Sequence, residues 1–423
     1  MSSSRRFFLG SLAATAGSVL MRRRAIARSP APEKLRVGVM GLARGLDLAK
    51  TFAVAADAEI SYLCDVDKNR LAKAHREIGK LQARPVQVVG DFRRILDDAS
   101  VDALVIAAPD HWHAVAAILA CAAGKHVYVE KPATHNSREG ELLVAAARKH
   151  KRVVQHGTQR RTMPAIVDAI GQLHRGKIGV VRYARCWYHT PRPSIGRGRK
   201  TPVPAELDYA LWQGPAPARP YRNNVVHYHW HWFWHWGTAE LGNNGVHTID
   251  LARWGLQVDY PKSVTTAGGR FRFDDDQETP DTLTVAFDFG DKAINWECRN
   301  WPRTRQEGAA SGIIFHGTDG NLVIGDDESC RFYDPVGKEF ASRTGPLTHD
   351  PHVRDFIDCV RSSGRPAADI EEGVKSTLLC HLGNIAYRVG RTVRLNDISR
   401  RIASDADAEA LWSREYQPGW DPS

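Results

Sequence analysis

Leu35-Arg36-Val37-Gly38-Val39-Met40-Gly41-Leu42-Ala43-Arg44-Gly45 runs from a short apolar segment straight into a glycine turn. Helical spacing follows from Asp47 to Ala55, so the order is strand, turn, helix. Glycines in such a turn let the backbone approach a pyrophosphate, which then rests at the helix N-terminus. The match to a dinucleotide fingerprint is imperfect, because Ala43 stands where the middle glycine belongs and Gly45 comes one residue early. Context strengthens it. A second strand, Ile60–Cys64, ends at Asp65, 20 residues after Gly45. A carboxylate in that place accepts hydrogen bonds from an adenosine ribose and repels a 2′-phosphate, so NAD is expected rather than NADP. The plain alternative for Asp65 is a helix cap.

The alternation continues outward. Lys68–Gly79, Arg93–Asp98, His113–Ala123 and Ser137–Lys149 have helical spacing. Val86–Val89, Ala103–Ala107, His126–Val129 and Val153–Gln155 read as short apolar strands between them. That pattern predicts a parallel sheet covered on both faces, an α/β Rossmann domain over residues 35–155. Beyond Gln155 the rhythm changes. Val180–Trp187, Ser263–Phe273, Thr282–Phe289 and Ala293–Asn300 read as longer strands, with hairpins at Asp288–Asp291 and Asp319-Gly320. An α+β domain with a large, mostly antiparallel open sheet is expected over residues 156–395, followed by a tail, 396–423. The helices His352–Arg361 and Ile370–Tyr387 are expected to pack back near the first domain.

Two further strand ends point to the same crevice. Ala108-Pro109 and His113 follow the fourth strand, and Glu130-Lys131-Pro132 follows the fifth. Ligands of open α/β sheets bind beyond the carboxyl ends of the strands. The run Gly124-Lys125-His126-Val127-Tyr128-Val129-Glu130-Lys131-Pro132, with Gly245-Val246-His247-Thr248-Ile249-Asp250 downstream, resembles the glucose–fructose oxidoreductase / inositol dehydrogenase (Gfo/Idh/MocA) family from about Leu35 to Leu395. The Trp-rich segment His227–Trp234 resembles an exported subgroup of it. The resemblance implies an NAD-dependent oxidoreductase acting on a secondary hydroxyl of a sugar, glycoside or cyclitol. The implied cofactor residues are Gly41, Ala43, Arg44, Gly45, Asp65, Ala108, Pro109, His113, Glu130 and Lys131.

Asn243, His247, Asp250 and Trp254 recur at spacings that place them on one face of a helix. The family resemblance makes His247 the acid/base and Lys131 its partner. Alcohol oxidation needs a proton acceptor near neutral pH, which imidazole supplies, and a cation to stabilise alkoxide charge. Asn243 stands where many relatives carry aspartate; it can hold a hydroxyl or orient the imidazole but cannot ionise. Asp250 either orients His247 or serves the helix structurally. Arg160, Tyr188, Arg192, Trp230, Trp232 and Trp234, with His247, are the substrate candidates, the tryptophans as sugar-stacking faces. A packed aromatic interface is the alternative for them. If extended, the segment 227–236 would turn its histidines and tryptophans to opposite faces. No carboxylate or cysteine joins those histidines at ligand spacing, so no metal is expected.

The remaining features bound the setting. Residues 1–27 carry Arg5-Arg6, an uncharged apolar run and Ala25-Ile26-Ala27, the pattern of a twin-arginine export signal, with a linker over 28–34. Periplasmic or otherwise exported localisation is expected, with no membrane span, the apolar run falling short of the roughly 20 residues needed. The formal net charge of +10 is halved by removing the five arginines of residues 1–27. No clustered basic stripe remains, which argues against nucleic-acid binding. Seven scattered cysteines carry no Cys-x-x-Cys motif and read as single buried thiols. Exported relatives imply a tightly held cofactor, used either in net oxidoreduction or in a redox-neutral cycle through a transient keto-sugar, as in some hydrolases and epimerases. A non-catalytic nucleotide-binding sensor is the alternative from another class. A homodimer or homotetramer formed through the open sheet is expected.

Overall fold

The computed structural model describes residues 34–423 except 302, 303 and 347. The export signal and most of the linker expected over 1–34 lie outside the described residues.

The first half builds the expected parallel sheet. Its strands are β1 (Leu35–Met40), β2 (Ala58–Cys64), β3 (Gln87–Val89), β4 (Ala103–Ile106), β5 (His126–Val129) and β6 (Val154–His156), in the order β3-β2-β1-β4-β5-β6. Between them run α1 (Gly45–Val54), α2 (Lys68–Ile78), the single turn α3 (Arg93–Leu96), α4 (Asp110–Ala122) and α5 (Ser137–Lys149). The central strands are short and mostly apolar because both faces are covered, while the edge strand β3 is largely exposed. β4 is buried along its whole length. The strand order reverses between β1 and β4, and that switch point opens a crevice at the strands' carboxyl ends.

The second half contributes α6 (Pro164–His174), α7 (Tyr209–Gln213) and α8 (Val246–Leu256), a nine-stranded sheet, and three later helices. The sheet's strands are β7 (Val181–Tyr188), β8 (Ser263–Gly269), β9 (Thr282–Asp288), β10 (Ala293–Arg299), β11 (Ser311–Gly317), β12 (Gly320–Gly325), β13 (Cys330–Tyr333), β14 (Glu339–Arg343) and β15 (Val393–Arg394). Their order is β14-β13-β12-β11-β7-β10-β9-β8-β15. Only the central β7–β10 pairing is parallel, so the sheet is mostly antiparallel and open, as expected. β9 shows the alternation of a half-buried strand, with Leu283, Val285 and Phe287 turned into the core. Those residues join Ile249 and Ala252 of α8 and Trp296 of β10 in one cluster.

The helices α9 (Asp350–Ser362) and α10 (Ile370–Val389) return to the first half, and α11 (Ala406–Ala410) begins the tail. Phe356 of α9 packs edge-on against Phe52 of α1 at 6.0 Å and Tyr128 of β5 at 6.2 Å. Arg148 of α5 pairs with Asp369, the N-cap of α10, at 2.5 Å. The parallel sheet is therefore completed by residues far along the chain. All seven cysteines are free and buried. No helix among the described residues is long and apolar enough to cross a membrane.

Candidate active site

The glycine turn is fixed from both sides. Gly41 has φ +86°, and a Cβ there would lie 2.5 Å from the Ala107 carbonyl oxygen. Only glycine allows β1 and the β4–α4 turn to approach this closely. Leu42 N–H donates to Asp65 Oδ2 at 2.7 Å, and Asp67 N–H donates to Asp65 Oδ1 at 2.9 Å. Asp65 thus clamps the turn while facing the cleft. Burial pushes its carboxyl above the ordinary range.

One continuous cleft joins these elements. Gly41, Ala43, Arg44, Asp65, Ala108, Pro109, His113, Glu130 and Lys131 all line it. Of the expected cofactor residues only Gly45 does not. It starts α1, and its missing side chain lets the helix pack on Val39 and Ala107. His113 ties two strand-end turns together, with Nδ1 2.6 Å from the Pro132 carbonyl and Nε2 2.7 Å from that of Ala108. Arg44 reaches Glu130 at 3.3 Å and His349 at 2.6 Å. Burial raises the Glu130 carboxyl, but the cations Arg44 and Lys131 outweigh it and hold the group below its usual range. A side-chain-free turn, a carboxylate at the end of β2 and a helix opening at Gly45 are what a dinucleotide needs from its protein.

Lys131 stands where β5 ends. Its Nζ donates to the Asn243 carbonyl at 2.5 Å and to Asn243 Oδ1 at 3.0 Å. An ammonium has three donors, so one remains for a ligand. Burial lowers the Lys131 pKa, while Glu130, Asp110 and Glu240 oppose that loss of charge. Asp110 is itself fixed by Thr238, whose hydroxyl donates to it at 2.6 Å.

His247 lies one turn beyond Asn243, but the helix between them is not regular. Leu241–Gly245 is a π-turn leading into α8. The single face expected from Asn243 to Trp254 is therefore interrupted, because a π-turn adds a residue to the repeat. The His247 ring is half-buried. Its Nδ1 is shut off from solvent with no partner, and neither His247 nor Asn243 is among the residues that line the cleft. Burial first, and then the cations Lys131 and Arg160, hold this imidazole well below its usual pKa.

Asp250 takes the structural one of its two expected roles. Arg161 forms a double hydrogen bond with it, at 2.8 and 2.9 Å, and Ser376 Oγ donates to it at 2.6 Å. Burial raises this carboxyl, and Arg161 and Ser376 more than reverse the effect. A depressed carboxylate stabilises the fold above its unfolded pKa, and that contribution is lost as pH falls through the folded value. Asp250→Ala should destabilise the protein by about 3–5 kcal/mol by stranding Arg161. Urea unfolding at neutral pH measures this, and a loss below about 1 kcal/mol, within the usual worth of an exposed pair, would refute it.

The expected substrate residues separate into different places. Arg192 is fully engaged. It pairs with both oxygens of buried Glu240, at 3.0 and 3.1 Å, and donates to the hydroxyls of Tyr188 and Tyr228. Its guanidinium also lies over Trp232 at 5.5 Å. Arg192, Tyr188 and Trp232 therefore form a wall and are not free to receive an anion. Arg160 is buried and paired with Glu328 at 3.0 Å. The segment His229–Trp232 is a 3-10 turn and not extended, so its tryptophans do not share a face. Trp230 lines the dinucleotide cleft, whereas Trp234 lines a separate cavity with Asn384 and Arg388. Leu211, Trp212, His227, Tyr228 and His231 also line the cleft, and sequence reasoning missed them as a group. The density of aromatic residues was their one visible signal.

These features define a class, a two-domain oxidoreductase with a dinucleotide cleft at the sheet's switch point and a lysine in its lining. Comparison with known proteins makes the assignment specific. Residues 35–158 match the Gfo/Idh/MocA description "Oxidoreductase family, NAD-binding Rossmann fold", and residues 194–294 match its "Oxidoreductase family, C-terminal alpha/beta domain". The chain belongs to the Gfo/Idh/MocA family of oxidoreductases, and its cofactor is NAD. It is 34% identical to inositol 2-dehydrogenase 1 of Saccharopolyspora erythraea over 37% of this chain and 47% of that one. It is 31% identical to levoglucosan dehydrogenase of Pseudarthrobacter phenanthrenivorans over 44% of this chain and 41% of that one. The chain thus spans about half the length, or less, of these curated relatives. A levoglucosan dehydrogenase structure in complex with NADH and levoglucosan superposes with a TM-score of 0.67, covering 86% of this chain and 99% of that one at 18% identity, a likeness of fold.

Proposed function

We propose that this protein oxidises a secondary hydroxyl of a sugar, glycoside or cyclitol, using an NAD that stays bound through turnover. The observation that carries the reading is Lys131, lining the NAD cleft and held on Asn243 with one donor unused. NAD supplies the hydride acceptor when bound. Lys131 donates to the substrate oxygen and stabilises the negative charge that grows there. His247, one turn beyond Asn243, accepts the hydroxyl proton, and the buried Asn243 keeps the ammonium aimed. The similarity of parts of the chain to inositol and levoglucosan dehydrogenases supports a polyhydroxylated substrate.

Two pKa directions set the pH profile. His247 is held low, so it stays neutral through the ordinary histidine range and should add no limb of its own there. Lys131 is also lowered, so its charge is lost before the usual lysine value is reached. The kcat/KM profile should be flat across neutral pH and fall on the alkaline side below pH 10.5. An acid limb centred near 6.5 that disappears in His247→Gln would contradict the depressed imidazole.

A redox-neutral cycle through a transient keto-sugar is the second reading. It is favoured by the aromatic residues that line the NAD cleft and by 36% identity, over 24% of each chain, to glycosyl hydrolase family 109 protein 2 of Shewanella. Export by the twin-arginine route and assembly as a homodimer or homotetramer belong to the same proposal. The test is to purify the protein, denature it and identify released nucleotide by mass spectrometry, then screen glycosides with and without added NAD. Bound NAD with oxidation or cleavage of a glycoside supports the reading. Absence of bound nucleotide, with turnover only on added NAD, rejects retention.

A further inference from the structure

The wall of the NAD cleft built from residues 211–231 is fastened at both edges. At one edge it continues the loop after β2. Lys68 N–H donates to the Glu206 carbonyl and Asp208 N–H to the Val66 carbonyl, each at 3.0 Å. His227 Nε2 lies 3.1 Å from Asp67 Oδ2. At the other edge it is docked on α4. The Trp212 carbonyl accepts from His111 Nε2 at 2.9 Å and from Trp112 Nε1 at 3.0 Å. Gly214, at φ +43°, lies so close to Trp112 that a Cβ would fall 1.8 Å from the indole.

The tail then braces this second edge from outside. Trp420 packs edge-on against Trp112, with ring centroids 4.9 Å apart, and Arg93 covers Trp420 at 5.0 Å. Gln417 N–H donates to the Pro215 carbonyl at 2.9 Å, and its side-chain oxygen accepts from Ala218 N–H at 3.1 Å. Arg414 reaches the His111 carbonyl at 2.7 Å and Glu139 at 2.8 Å. None of Arg414, Gln417 and Trp420 lines the NAD cleft.

We propose that residues 206–231 are a strap across the dinucleotide cleft and that residues 412–420 are its buckle, which sets how long NAD stays bound. The proposal rests on the reading of a retained cofactor and adds the part of the chain responsible. NAD leaves when the α4 edge of the strap lifts, and the tail opposes that motion through contacts that touch no reacting atom.

The experiment loads the full chain with NADH, chases with excess NAD and follows the loss of bound-NADH fluorescence. A Gln417→Ala/Trp420→Ala double variant should release NADH at least about tenfold faster, the equivalent of about 1.4 kcal/mol. Hydrogen exchange should show the amides of 209–218 opening sooner, with kcat at saturating NAD retained. Gly214→Ala attacks the same edge from within the strap and should also speed release. Unchanged release from both variants, or loosened strap amides with unchanged release, overturns the buckle while leaving retention intact. Release from the parent protein within mixing time overturns retention itself, and the buckle with it.

Discussion

Replacing Lys131 with methionine is expected to lower kcat by about 10²–10³-fold, the usual cost of removing a donor aimed at developing oxyanion charge. Methionine keeps the unbranched stem but removes the ammonium that Asn243 orients. The effect should fall on kcat more than on NAD affinity, because Gly41, Asp65 and the strap remain in place. Glu130, Asp110 and Glu240 all act on Lys131, so its removal also leaves neighbouring carboxylates less well balanced. Thermal unfolding of the variant separates that structural cost from the chemical one. A folded variant with less than tenfold loss of kcat would remove Lys131 from the chemistry. Lys131→Arg should not restore the rate, since a planar guanidinium does not reproduce a compact ammonium.

Gly41→Ala should abolish useful NAD binding. A Cβ would meet Ala107 O at 2.5 Å and Ala108 N at 2.7 Å, both backbone atoms with nowhere to move. The residue would also be held at a φ that side chains resist, a strain of about 1–3 kcal/mol. The turn must shift away from β4, carrying Leu42 N–H off Asp65. A rise in the NAD dissociation constant on the order of 10²-fold, about 2.7 kcal/mol, is expected by titration calorimetry. Binding within threefold of the parent protein would show that the turn is not the pyrophosphate cradle.

Much of the first domain was legible because its signals are local. Most strands of the parallel sheet are short apolar runs, and each predicted strand boundary falls within two residues of the observed one, while α4 starts three residues before its expected position. Lys131 was placed by its position after β5. Failures came where distant partners decide. Arg192 looked free to bind a substrate because its counter-ion, Glu240, is 48 residues away. Arg160 is paired with Glu328, a residue far along the chain between β12 and β13. The segment 227–236 would have turned its tryptophans to one face only if extended, but Trp230 and Trp232 lie in a compact turn and pack with Trp236 in one cluster. Strand β15 has two residues and β14 is largely exposed, so neither carries a hydrophobic pattern. Helix α6 was missed although Ile166, Ala169, Ile170 and Leu173 recur at helical spacing after Pro164 and are buried. That signal was present in the sequence.

The return of α9 to the parallel sheet bears on how the protein is made. Phe52 and Tyr128 belong to the part of the chain synthesised first, yet Phe356, which covers them, emerges more than two hundred residues later. The nucleotide-binding half therefore leaves the ribosome with an aromatic flank uncovered and stays open to aggregation until translation is nearly over.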